Sequence, residues 1–64
     1  MIRVNGIESV EVFVSVAAMM EKLAPESKGV AVAVNGEVIR RGEWPTTPLH
    51  DGDVVEIVNA VAGG

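Results

Sequence analysis

Val30-Ala31-Val32-Ala33-Val34-Asn35-Gly36-Glu37-Val38-Ile39 is the stretch that decides the fold. Its first five residues are apolar without a break and too few for a helix. Alternate β-branched valines favour a strand, buried on both faces or nearly so. Asn35-Gly36 then gives a two-residue turn, because Asn and Gly tolerate the positive φ that such a turn needs at both central positions. Residues 37–39 return as a short partner strand. A hairpin this short has no stability alone, so the flanking sequence must cover it.

Towards the N-terminus the same signal recurs at Asn5-Gly6. Before it, Ile2 and Val4 share one face, with Arg3 between them. After it, residues 7–14 alternate: Val10, Val12 and Val14 fall on one side, Glu11 and Phe13 on the other. The pattern predicts a second hairpin, with strands over 1–4 and 7–14. Ser15 is a helix N-cap candidate. Val16, Met19, Met20 and Leu23 then fall at i, i+3, i+4 and i+7, the stripe of an amphipathic helix. Pro25 ends the helix, which spans 16–24. Methionines at helical spacing read as core filler, and 26–29 is a polar loop.

Towards the C-terminus, residues 40–45 predict a single helical or 3₁₀ turn stopped by Pro45, with Trp44 closing the open end of the core. Pro48 keeps the following connector out of a central strand. Asp51-Gly52-Asp53 is a turn; it lacks the further ligands of a calcium loop. Residues 54–59 form the last strand, with Glu56 facing water and Val55 and Ile57 inward. His50 is the single histidine and has no nucleophile or acid at triad spacing, so a solvent-exposed loop position is expected. The order strand, strand, helix, strand, strand, short turn, strand predicts an α+β, two-layer fold. It is a mixed four- to five-stranded sheet with one main helix packed on one face, and the first and last strands are central neighbours.

The chain has 64 residues, a net charge of −4 and no cysteine. One domain over 1–64 is the expectation, at a size where the core is barely sufficient. Disulfides and thiolate chemistry are excluded. Only Arg40 and Arg41 among the five basic residues are adjacent, so nucleic-acid binding is not expected. An apolar run of five residues is far short of a membrane span. With no signal-peptide pattern at the start, a cytoplasmic location is the default expectation.

The chain stops on Ala60-Val61-Ala62-Gly63-Gly64. Two terminal glycines suit a frayed end or a linker. They equally suit a tail without bulky side chains that threads a narrow channel and delivers its carboxylate to a distant active site. The residues alone leave both readings open.

Four pieces taken in order resemble the ThiS-type sulfur carrier proteins of thiamine (thiazole) biosynthesis, which have the ubiquitin-like β-grasp fold. They are Val32-Ala33-Val34-Asn35-Gly36, Arg41 with Trp44, Asp51-Gly52-Asp53, and Val61-Ala62-Gly63-Gly64. The resemblance implies a carrier, not an enzyme, with no catalytic or metal-binding residue of its own. Gly64 would be the residue adenylated and thiocarboxylated, and Gly63, Ala62 and Val61 would be the tail that partners recognise. The implied partners are a ThiF-type adenylating enzyme using ATP and Mg²⁺, a ThiG-type thiazole synthase, and a sulfur donor such as a cysteine desulfurase. A tail that enters a partner's channel would be extended and poorly ordered in the free protein. A MoaD-like carrier for molybdopterin synthesis shares the fold and the Gly-Gly end, but such chains are usually longer and often carry a proline pair before the last residues. A ubiquitin-like modifier and a plain interaction domain are the other classes that the ending allows.

Overall fold

A computed structural model describes residues 1–25 and 29–59. Five strands form one sheet in the order β2-β1-β5-β3-β4. They are β1 (Ile2–Val4), β2 (Ile7–Ser9), β3 (Val30–Val34), β4 (Glu37–Ile39) and β5 (Val54–Asn59). The helix α1 (Val16–Leu23) lies across one face, and a 3₁₀ turn, Arg41–Thr46, packs beside it. The first and last strands are indeed neighbours: β1 runs parallel to β5, with Arg3 opposite Val54 and Val4 opposite Val55. β3 runs antiparallel to β5 along its full length, from Val30 opposite Asn59 to Val34 opposite Val55.

Both Asn-Gly pairs make the expected turns. Asn5 and Asn35 have φ of 51° and 52°, and Gly6 and Gly36 have φ of 82° and 85°. Positive φ at both central residues gives the turn twist that matches right-twisted strands. Ser15 caps α1, its Oγ accepting from the Ala18 N–H at 3.2 Å. The core gathers Ile2, Phe13, Val16, Met19, Met20, Val32, Val34, Trp44, Leu49 and Val55. Trp44 closes one end, and its Nε1–H donates to the Ile39 carbonyl at 3.0 Å, so the indole is buried without an orphaned donor. The Arg41 guanidinium sits 5.2 Å from the centre of the Trp44 ring.

Four expectations need correction. Strand β2 ends at Ser9 instead of 14, because its ladder partner β1 has run out: Ser9 pairs with Ile2. Beyond that point Phe13 turns into the core, while Val10, Val12 and Val14 stay exposed. The stripe of α1 is buried at Val16, Met19 and Met20, but Leu23 is 45% exposed. It stands at the last residue of the helix, over a groove shared with Val4 and Ile7 at the edge of the sheet. β3 is buried on one face only: Val32 and Val34 are buried, whereas Ala31 and Ala33 are half-buried on the side away from α1. The 3₁₀ turn includes Pro45 and runs on to Thr46, since proline's fixed φ suits the turn and forfeits only its own N–H bond, while the Thr47 N–H still reaches the Trp44 carbonyl at 3.3 Å.

Candidate functional site

The site is built around β5. Val55 is fully buried and Ile57 partly so, facing α1, which fixes the strand's register; Glu56 faces water as its place in the alternation requires. With β1 on one side and β3 on the other, β5 is the central strand. Its last residue, Asn59, precedes the five residues that carry the Gly-Gly ending. Gly64, Gly63, Ala62 and Val61 lie outside the described residues, and so does the expectation that the tail is extended and poorly ordered.

Two asparagine side chains grip β5, one towards each end. Asn35 Oδ1 accepts from the Val54 N–H at 2.9 Å, and its Nδ2 donates to Asp53 Oδ1 at 3.0 Å. Asn5 Oδ1 accepts from the Ile57 N–H at 2.7 Å, and its Nδ2 donates to the Ile57 carbonyl at 3.1 Å. Sequence reasoning saw these asparagines only as turn formers. Turn chemistry reveals a positive φ but not where the side chain reaches. Asp53 also accepts from the His50 N–H at 2.8 Å. That bond, with the Asn35 amide second, holds its carboxyl below the usual aspartate range. His50 is exposed, as expected of a loop residue.

The sheet face opposite α1 has no covering element among the described residues. Cross-strand register places Ala31 beside Val58, and Glu56 beside Ala33, which is in turn beside Val38. Val54 lies beside Arg3 and completes the face. Val38 is 69% exposed and Val58 56% exposed. At one edge, Arg3 and Glu8 form an ion pair at 3.6 Å. The face is therefore apolar at Val38, Val54 and Val58, with the acid of Glu56 in its middle, and it lies on the strand that leads to the tail. Among the described residues no three His, Asp or Glu side chains converge to hold a metal ion, and no helix is long and apolar enough to cross a membrane.

The ThiS family model matches residues 2–64 of the chain. The chain belongs to the ThiS family. It is 48% identical over 46 residues to the sulfur carrier protein ThiS of Thermus thermophilus, covering 72% of each chain. It is 30% identical over 50 residues to the ThiS of Escherichia coli, covering 78% of this chain and 76% of that one. The crystal structure of the thiamine biosynthesis protein ThiS from Geobacter metallireducens superposes with a TM-score of 0.80 at 33% identity. That match covers 98% of this chain and 97% of the other. The β-grasp architecture expected of a ThiS chain is thus the one observed, a five-stranded mixed sheet with one main helix.

Proposed function

We infer that the protein is a sulfur carrier in thiamine biosynthesis and that the carboxylate of Gly64 is the group that carries the sulfur. The observation that supports this most directly is the family match, which runs through to Gly63 and Gly64. The sheet supplies a rigid handle, and β5 is its central strand. Five residues follow Asn59 and, fully extended, reach at most about 18 Å at 3.3–3.6 Å per residue. That is enough to bring a carboxylate into a partner's active site while the folded body stays outside.

The chemistry follows from the weakness of a carboxylate as an acyl donor, since its leaving group would be oxide. A ThiF-type enzyme lets a Gly64 oxygen attack the α-phosphorus of ATP, and pyrophosphate leaves. Mg²⁺ in that enzyme offsets the phosphate charge. The acyl-adenylate carbonyl is then attacked by the outer sulfur of a persulfide on a donor such as a cysteine desulfurase, and AMP departs; a thiol next cleaves the resulting acyl disulfide at its S–S bond, forming a disulfide with the donor's cysteine and releasing the tail. The product is a thiocarboxylate, a sulfur nucleophile presented to a ThiG-type thiazole synthase. In this scheme the chain is a co-substrate: ATP, Mg²⁺ and the acid–base groups belong to its partners.

The adenylating enzyme that receives the tail covers the open face bearing Val38, Val54 and Val58, because that face is continuous with β5. Glu56 and the net charge of −4 match a partner surface with a basic centre. The test is intact-mass analysis after incubation with ATP, Mg²⁺ and the adenylating enzyme. An AMP adduct confined to Gly64, replaced by a one-oxygen-to-sulfur change when a sulfur donor is added, supports the reading. Attachment of Gly64 to lysines of other proteins, with no thiocarboxylate, would move it to the modifier class.

A further inference from the structure

The two asparagine clasps are alike in chemistry but not in consequence. β1 and β5 form a parallel ladder in which the Arg3 N–H donates to the Asp53 carbonyl and the Asn5 N–H to the Val55 carbonyl, both at 2.9 Å. The next rung would need backbone from residues 5 and 7. At this point, however, the main chain turns away through Gly6 at φ 82°. The side chain of Asn5 takes its place. Its Oδ1 stands where a backbone carbonyl would accept the Ile57 N–H, and its Nδ2 stands where a backbone N–H would reach the Ile57 carbonyl. A primary amide has the same donor and acceptor as a peptide group, so it extends the ladder by one rung after the strand itself has ended.

That rung falls at a particular place. Pleating turns the backbone groups of alternate residues to opposite sides, so Val55 and Ile57 face β1 while Glu56 and Val58 face β3. β3 supports β5 as far as Asn59, but β1 pairs only as far as Val55. Among the described residues, Asn5 alone holds β5 beyond Val55 on the β1 side. Ile57 is two residues from the end of the strand and seven from Gly64. Asn35 grips Val54 at the opposite end, ten residues from Gly64.

We propose that Asn5 is a positioning residue for acyl transfer: its side-chain amide anchors the end of β5 and so fixes the point and direction from which the tail leaves. The proposal rests on the sulfur-carrier reading for its effect on rate, but not for the anchoring itself. Asn35 provides the matched comparison. Asn5→Gly and Asn35→Gly both keep a turn that accepts Gly-Gly, and each removes two side-chain hydrogen bonds to or beside β5.

The experiment measures amide hydrogen exchange in each full-length variant together with steady-state adenylation by the ThiF-type enzyme. Asn5→Gly should speed exchange of the Ile57 amide about tenfold, the effect of a lost hydrogen bond. It should lower kcat about ten- to a hundredfold, as for a misplacement near 1 Å, with KM for the carrier within about twofold. Asn35→Gly should speed exchange at Val54 and leave both kinetic constants within about twofold of wild type. Asn5→Asp keeps the acceptor and loses the donor, so its kcat should fall between those of wild type and Asn5→Gly. Wild-type kcat in Asn5→Gly, or an equal loss in Asn35→Gly, overturns the positioning role. Unchanged Ile57 exchange in Asn5→Gly overturns the anchor. If the wild type is itself not adenylated, the sulfur-carrier reading falls, and Ile57 exchange decides the anchor alone.

Discussion

Asp53 ties the turn that starts β5 to the turn between β3 and β4. It accepts from the His50 N–H and from the Asn35 amide, and both bonds favour its charged form. A folded-state pKa below the unfolded one gives stability that is present above the unfolded value, about 3.9. That stability is lost as the pH falls through the folded value. Asp53→Asn should therefore be less stable than wild type at neutral pH, and the gap should close as the pH falls below about 4. Denaturant midpoints measured from pH 7 downward check this; a gap that widens in acid would contradict it. The expectation that Asp51-Gly52-Asp53 forms a turn was legible because Gly52 takes the positive φ, here 90°. The hydrogen bonds from Asn35 and His50 were not legible, because they depend on which loops the sheet brings together.

The elements differ in how well sequence pattern specified them. α1 was legible to within one residue, since its period of 3.6, its Ser15 cap and Pro25 all point to the same boundaries. β2 was not, because alternation continues through Val10, Val12 and Val14 while strand length is set by the partner, and β1 offers only Ile2–Val4. Likewise the apolar run of β3 does not reveal that one face is uncovered, since alanine and valine suit both a core and an open sheet. Leu23 belongs to the stripe by spacing, yet stands at the end of α1 over the sheet edge, whereas Met19 is fully buried. Met19→Ala should cost about 2–5 kcal/mol and could unfold so small a protein. Leu23→Ala should cost only about 1 kcal/mol, near half of the transfer energy of a buried leucine. Equal losses of denaturant midpoint in the two variants would show that Leu23 is packed as tightly as Met19.

At the scale of the whole molecule, α1 covers one face of the sheet and leaves the other open, and both faces share β5, the strand that precedes the tail in sequence. If the adenylating enzyme sits on the open face, Val58→Asp should raise the KM of the carrier about tenfold or more, by placing a charge in an apolar contact. Stability should barely change, because Val58 already faces water. An unaltered KM would move the docking surface elsewhere. The Gly-Gly ending was legible from the sequence, whereas the open face emerged only with the strand order. On the sulfur-carrier reading, the body is a handle and the carboxylate of Gly64 is the working group. The most direct measurement is the adenylation rate of a chain carrying one added residue after Gly64, read by intact mass beside the wild type. An extra residue displaces the carboxylate by up to about 3.3–3.6 Å, so an unchanged fold and no detectable acyl-adenylate are expected. Adenylation of the extended chain at the wild-type rate would contradict that reading.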